Sequence, residues 1–88
     1  MKEQPSNKIH EIKIFPSYYN AIANGSKTFE LRKNDRDYKV GDVLKLKEWD
    51  GEQFTGHSMM RRISYIYKGN NKYGLAEGYC ILGIKTIR

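Results

Sequence analysis

The sequence predicts a mixed α/β, mainly β fold: a small barrel of about five strands with one short helix after the first strand. Three observations carry this expectation. Short runs with period-two alternation recur along the chain. Only one stretch has helical spacing. Turn chemistry separates the runs. A strand-rich chain of 88 residues must close or cover its sheet, because open strand edges invite pairing with other chains.

Taken in order, residues 1–7 are polar and read as a flexible lead-in, leaving 8–88 as a single domain. Residues 8–15 alternate as a strand, with His10, Ile12 and Ile14 on one face and Glu11, Lys13 and Phe15 on the other. Pro16 and Ser17 open a helix, since proline is tolerated where its missing N–H has no partner to lose. Tyr18 and Ile22 share one side of that helix, and Gly25 suits the left-handed residue that ends it. Ser26 to Lys33 returns to strand, with Phe29 and Leu31 on one face and Thr28, Glu30 and Arg32 on the other. Asn34 to Tyr38 is turn chemistry. Val43 to Trp49 is a strand with Leu44 and Leu46 opposed to Lys45, Lys47 and Trp49, and Asp50-Gly51 is a strong hairpin signal, with a longer loop reaching Gly56 as the alternative. A long strand runs from Ser58 to Lys68, and Gly69 to Gly74 forms a loop. The last strand, Tyr79 to Ile87, is apolar on both sides of its middle and reads as buried on both faces. Gly83 within it marks a bulge or sharp bend.

Composition narrows the function. No run approaches the roughly 18 apolar residues that span a bilayer, and the first residues lack the apolar stretch of a secretory signal. A reducing cytoplasm is the expected location, and the one cysteine, Cys80, reads as a small core residue. With two histidines and one cysteine, no metal or other cofactor is expected. The net charge of +6 is unevenly spread: residues 41–53 are net acidic, whereas 56–76 contain Arg61, Arg62, Lys68 and Lys72 and no acid. Such polarity suits a polyanionic partner.

The segment richest in chemistry is 25–36, where a helix end, a glycine and a strand start bring Lys27, Glu30 and Arg32 together. Glu30 and Arg32 lie on one strand face, roughly 7 Å apart. Arginine offers a planar fork to phosphate or a base edge, lysine offers a point charge, and glutamate accepts from an amino group or orients the arginine. The run Gly25-x-Lys27-x-x-Glu30-x-Arg32 resembles the signature of ASCH domains in the PUA-like superfamily. His10-Glu11-x-Lys13, the run 27–36, Gly41-Asp42, Glu48-Trp49-Asp50 and Gly78-Tyr79-x-x-Leu82-Gly83 resemble a small branch described as domains of unknown function, over Ile9 to Ile87.

The resemblance implies a PUA-like barrel with a basic cleft lined by Lys27, Glu30 and Arg32, and a role in binding RNA or a nucleotide-like ligand. Some ASCH relatives are amidohydrolases of N4-acylated cytidine, with a lysine, a threonine three residues later and a distant glutamate. Here Glu30 stands at the threonine position and Glu77 is a candidate second carboxylate, so Lys27 and Glu30 are the candidate catalytic pair for that alternative.

Each candidate has a plainer reading. Lys27, Glu30 and Arg32 make an ordinary surface ladder if no hollow lies beneath them. Lys33 and Arg36 flank a capped turn and are candidate phosphate contacts, and Lys13 is a further candidate from the first strand. His10, beside Ile12 and Ile14, reads first as a satisfied buried histidine and second as a cleft residue. Trp49 caps a barrel end or offers a stacking platform. Arg61, Arg62, Lys68 and Lys72 form a basic face that attracts phosphate without sequence preference.

Overall fold

The computed structural model describes residues 8–87, so the polar lead-in read at residues 1–7 lies outside the described residues. The elements are β1 (Ile9–Ile14), α1 (Pro16–Ala23), β2 (Phe29–Lys33), β3 (Val43–Trp49), β4 (Phe54–Lys68) and β5 (Tyr79–Thr86). They form one sheet in the order β1-β3-β4-β5-β2, with β1 parallel to β3 and every other pair antiparallel. The sheet curls into a half-barrel, which agrees with the mainly β fold expected from the sequence.

The alternation of the strands gives the sheet one apolar face and so the core. His10, Ile12 and Ile14 of β1 turn inward while Ile9, Glu11 and Lys13 face water. Leu44 and Leu46 of β3, Ile63 of β4, and Cys80, Leu82 and Ile84 of β5 complete the lining. The concave face is covered by α1. Pro16 sits at its start and Gly25, at φ +86°, receives the chain as it leaves the helix. Ile22 is the helix residue that enters the core, and burial of a side chain of this size contributes about 1.5–3 kcal/mol. Its partner in packing is Tyr19; Tyr18, expected on the Ile22 side, is exposed.

Three other expectations change. The fourth strand begins at Phe54, because the hairpin loop closes within four residues: Asp50 N–H donates to Gln53 O, and Asp50 Oδ1 caps the N–H groups of Glu52 and Gln53. The extra residues form an irregular bulge in β4, which Gly56 accommodates at φ +96°. That bulge turns Thr55 Oγ1 and His57 Nδ1 onto the buried Glu48 carboxylate, at 2.7 and 3.2 Å. Next, β5 is buried on one face only. Tyr79, Ile81 and Gly83 lie on its outer side, and the bulge near Gly83 belongs to the facing strand, at Ser64. Finally Tyr38, placed in a polar turn from sequence, is a core residue. Its ring packs on His10 at 4.8 Å between centroids.

His10 takes its structural reading. Its Nε2 donates to Asp42 Oδ2 at 2.7 Å, with both side chains buried. Asp42 Oδ2 also accepts the Lys39 N–H, and Asp42 O accepts the Ile63 N–H. One carboxylate thus ties β1, the loop before β3 and, through the backbone, β4. Asp42→Ala leaves a buried imidazole without its acceptor and is expected to cost about 2–4 kcal/mol of unfolding free energy, read from the shift in urea midpoint.

Burial pushes the Cys80 thiol and the Tyr38 hydroxyl up from their ordinary values of 9.0 and 10.0. The unfolded chain therefore loses these protons first as pH rises, and the native state binds more protons in that range. Stability is expected to hold below pH 9 and to fall as pH climbs through 9 and 10, seen as decreasing urea midpoints between pH 8 and 10.5.

Candidate ligand-binding seam between the sheet edges

The two ends of the strand order, β1 and β2, face each other without a ladder of backbone hydrogen bonds between them. Val43 N–H donates to Lys8 O, so alternate carbonyls of β1 are used by β3 and the others point to the open side. Arginine side chains take those open carbonyls. Arg32 donates to Lys13 O at 3.2 Å, and Arg36 donates to Glu11 O. The seam of the half-barrel is therefore bridged by guanidinium groups.

The charged trio expected from sequence sits at this seam. Glu30 pairs in register with Leu82, and Arg32 with Cys80, so both point to the concave side of the sheet. Phe29 and Leu31 point outward, where they are 45% and 53% exposed. The two faces of β2 separate as its alternation requires, but the charged face is the one turned inward. Inward-pointing charge is a known device for keeping an edge strand from pairing with another chain.

Glu30 is only 4% exposed, and its charge is answered on both oxygens. Lys27 Nζ donates to Oε1 at 2.7 Å and Arg32 Nη1 to Oε2 at 3.3 Å. Lys27 reaches this position because Gly25 turns the chain and Lys27 N–H donates back to Ala21 O at the helix end. The trio carries a net positive charge, and the carboxylate holds both cations in place.

A hollow of about 380 Å³ opens over the trio. Its polar groups are Lys13, Lys27, Glu30 and Arg32, and its walls are Ile14, Phe15, Tyr18, Phe29 and Leu31. Lys27 Nζ lies 4.7 Å from the Tyr18 ring centroid and 5.3 Å from that of Phe29. The rings are exposed, so they offer flat apolar faces beside the cations. Phe15, Tyr18 and Phe29 were not selected from sequence. Phe15 and Phe29, each two residues from a lysine of the hollow, carry a local signal, whereas Tyr18 lies five residues from Lys13 and carries none.

The remaining candidates distribute around this hollow. Trp49 is its neighbour: a smaller hollow of about 180 Å³ is lined by Trp49 with Lys13, Ile14 and Phe15. The Trp49 ring is already covered, with Lys13 Nζ at 4.1 Å on its face and Phe54 edge-on at 4.9 Å. Arg36 and Lys33 line a separate depression with Asp35 and Tyr79. Arg61 and Arg62 line a groove on the far side of the helix end. His10 is buried with Asp42 and lines neither hollow, and neither does Glu77, an exposed loop residue whose N–H donates to Asn71 Oδ1. Among the described residues no three His, Cys, Asp or Glu side chains are grouped to hold a metal ion, and no helix is long and apolar enough to cross a membrane.

Comparison with known proteins covers almost the whole of this architecture. Residues 9–84 match the family described as a domain of unknown function, DUF3850, a span that runs from β1 into β5. A protein of Escherichia phage P2, described as an uncharacterized 12.9 kDa protein in the GpA 3′ region, is 44% identical over 59 residues. That similarity takes in 67% of this chain and 54% of the phage protein, so the chain spans about half the length of this relative. With its seam and its charged trio inside the matched span, the chain belongs to the DUF3850 family of domains of unknown function.

Proposed function

We propose that the chain is an RNA-binding module that takes one unpaired nucleotide into the seam hollow. The observation that carries this reading is the pairing of two cations, held on a buried carboxylate, with exposed aromatic walls in one hollow. A nucleotide presents the complementary parts: an anionic phosphate for Lys27, Lys13 and Arg32, and a flat ring for Phe15, Tyr18 and Phe29. Base–aromatic stacking of this kind is worth about 1–3 kcal/mol per base. The resemblance of Gly25-x-Lys27-x-x-Glu30-x-Arg32 to the ASCH signature, and so to PUA-like domains, supports the same reading.

The hydrolytic alternative, deacylation of an N4-acylated cytidine by Lys27 and Glu30, fits this geometry less well. Such chemistry needs a group free to attack or to take a proton. Both Glu30 oxygens accept hydrogen bonds from cations, and Lys27 is engaged in the ion pair. Glu77 lies outside the hollow. These contacts suit a site that holds a ligand.

Trp49, the one tryptophan, adjoins the hollow through Lys13 and Phe15 and is a built-in reporter. Titration with a nucleoside monophosphate is expected to change Trp49 emission. Arg32→Ala and Phe29→Ala are each expected to weaken binding by about 10- to 100-fold, the range for a lost charge-assisted hydrogen bond or stacking contact. No emission change and no calorimetric heat with any of the four monophosphates at millimolar concentration rejects the reading. Turnover of N4-acetylcytidine, abolished in Lys27→Ala, favours the hydrolytic alternative.

A further inference from the structure

A second and larger groove, of about 680 Å³, lies on the other side of the α1 C-terminus. Among the described residues its charged lining is Lys27, Arg61, Arg62 and Lys85, with no Asp or Glu. Thr28 and Thr86 add hydroxyl groups, and Ile22 and Ile84 form part of its floor. Arg62 and Lys85 are cross-strand partners on β4 and β5, so two cations stand side by side. Like charges directly opposite each other are destabilising in a sheet. Among the described residues neither forms an ion pair: Arg62 Nη1 donates to Gly41 O at 2.7 Å, which leaves most of its donors open.

Lys27 lines both this groove and the seam hollow. The groove and the hollow therefore share one residue, Lys27, at the helix end. They differ in chemistry. The hollow has aromatic walls and an internal carboxylate, whereas the groove is cationic with no aromatic side chain. Flat rings belong in the first and a run of phosphates in the second.

We propose that the groove is a phosphate track, and that an RNA strand with one base in the seam hollow continues across Lys27 so that its neighbouring phosphates lie against Arg61, Arg62 and Lys85. This rests on the seam reading above and extends it from one nucleotide to a strand with a path. It selects single-stranded RNA over duplex, because the base that enters the hollow must be unstacked from its neighbours. It separates two roles: the hollow holds a nucleotide, and the groove makes affinity depend on chain length and salt. Arg36 and Lys33 line a separate depression and are not among the groove's residues.

The test compares uridine monophosphate with a fluorescein-labelled octauridylate, measured by Trp49 emission and by anisotropy over 50–300 mM salt. The variants are Arg62→Ala/Lys85→Ala and Lys85→Ala, each checked for folding by its thermal transition. Neither residue lines the seam hollow. In the double variant, octamer affinity at low salt is expected to fall about 10- to 100-fold, and the slope of log K against log salt to shrink by about 1.4, near 0.7 per lost phosphate contact. Lys85→Ala, which removes no hydrogen bond to the fold, is expected to show half of that slope change. Monophosphate affinity is expected to stay within twofold. If the monophosphate binds the parent chain and the octamer's affinity and salt slope match in parent and variants, the track is overturned while the hollow stands. If the monophosphate does not bind the parent, the seam reading fails first, and the track falls with it.

Discussion

The seam between β1 and β2 is the constraint on which the rest of this structure depends. Five strands curl far enough to bring the two edges of the sheet face to face, but not to join them by a backbone ladder. Each edge keeps backbone groups that require partners, and water or an incoming strand would otherwise supply them. Here Arg32 and Arg36 supply them from β2 and the turn that follows it. A guanidinium is long, planar and rich in donors, so it crosses a gap that a backbone N–H cannot reach. The same residues that close the fold also line its hollows.

Bridging by charge has consequences inside the half-barrel. Arg32 needs a counter-charge on the concave side, and Glu30 provides it while taking Lys27 on its other oxygen. A lone buried carboxylate would be costly, and two cations offset that cost. The polar character continues through Tyr38, whose ring contacts His10, to the His10–Asp42 pair. The interior is therefore graded. Leu44, Leu46, Leu82 and Ile63 fill the part under α1, and a set of paired polar groups occupies the part near β1 and the loop before β3.

Cations stand on both sides of the helix end. Lys27 stands where the aromatic hollow and the cationic groove meet. The acidic residues of the β3–β4 hairpin lie in a different stretch of chain, around Asp50 and Glu52, and the net charge of +6 is accordingly concentrated elsewhere. In the proposed reading, the cations flanking the helix end attract the phosphates of a strand before specific contacts form.

Much of this was legible in the residues alone. Period-two alternation located β1, β3 and β5 closely, Pro16 and Gly25 bounded the helix, and the spacing of Lys27, Glu30 and Arg32 brought out the charged trio. These are local properties: neighbouring side chains and backbone preferences determine them within a few residues. What the sequence could not decide was which face of β2 would turn inward, that Tyr38 would leave its polar turn for the core, or that the bulge opposite Gly83 would fall on Ser64. It also could not decide that Phe15, Tyr18 and Phe29 would remain exposed as walls around a charged floor. Those outcomes depend on register between strands distant in the chain and on a sheet edge left unpaired. Alternation within one strand names two faces, and only the tertiary structure says which of them meets the core.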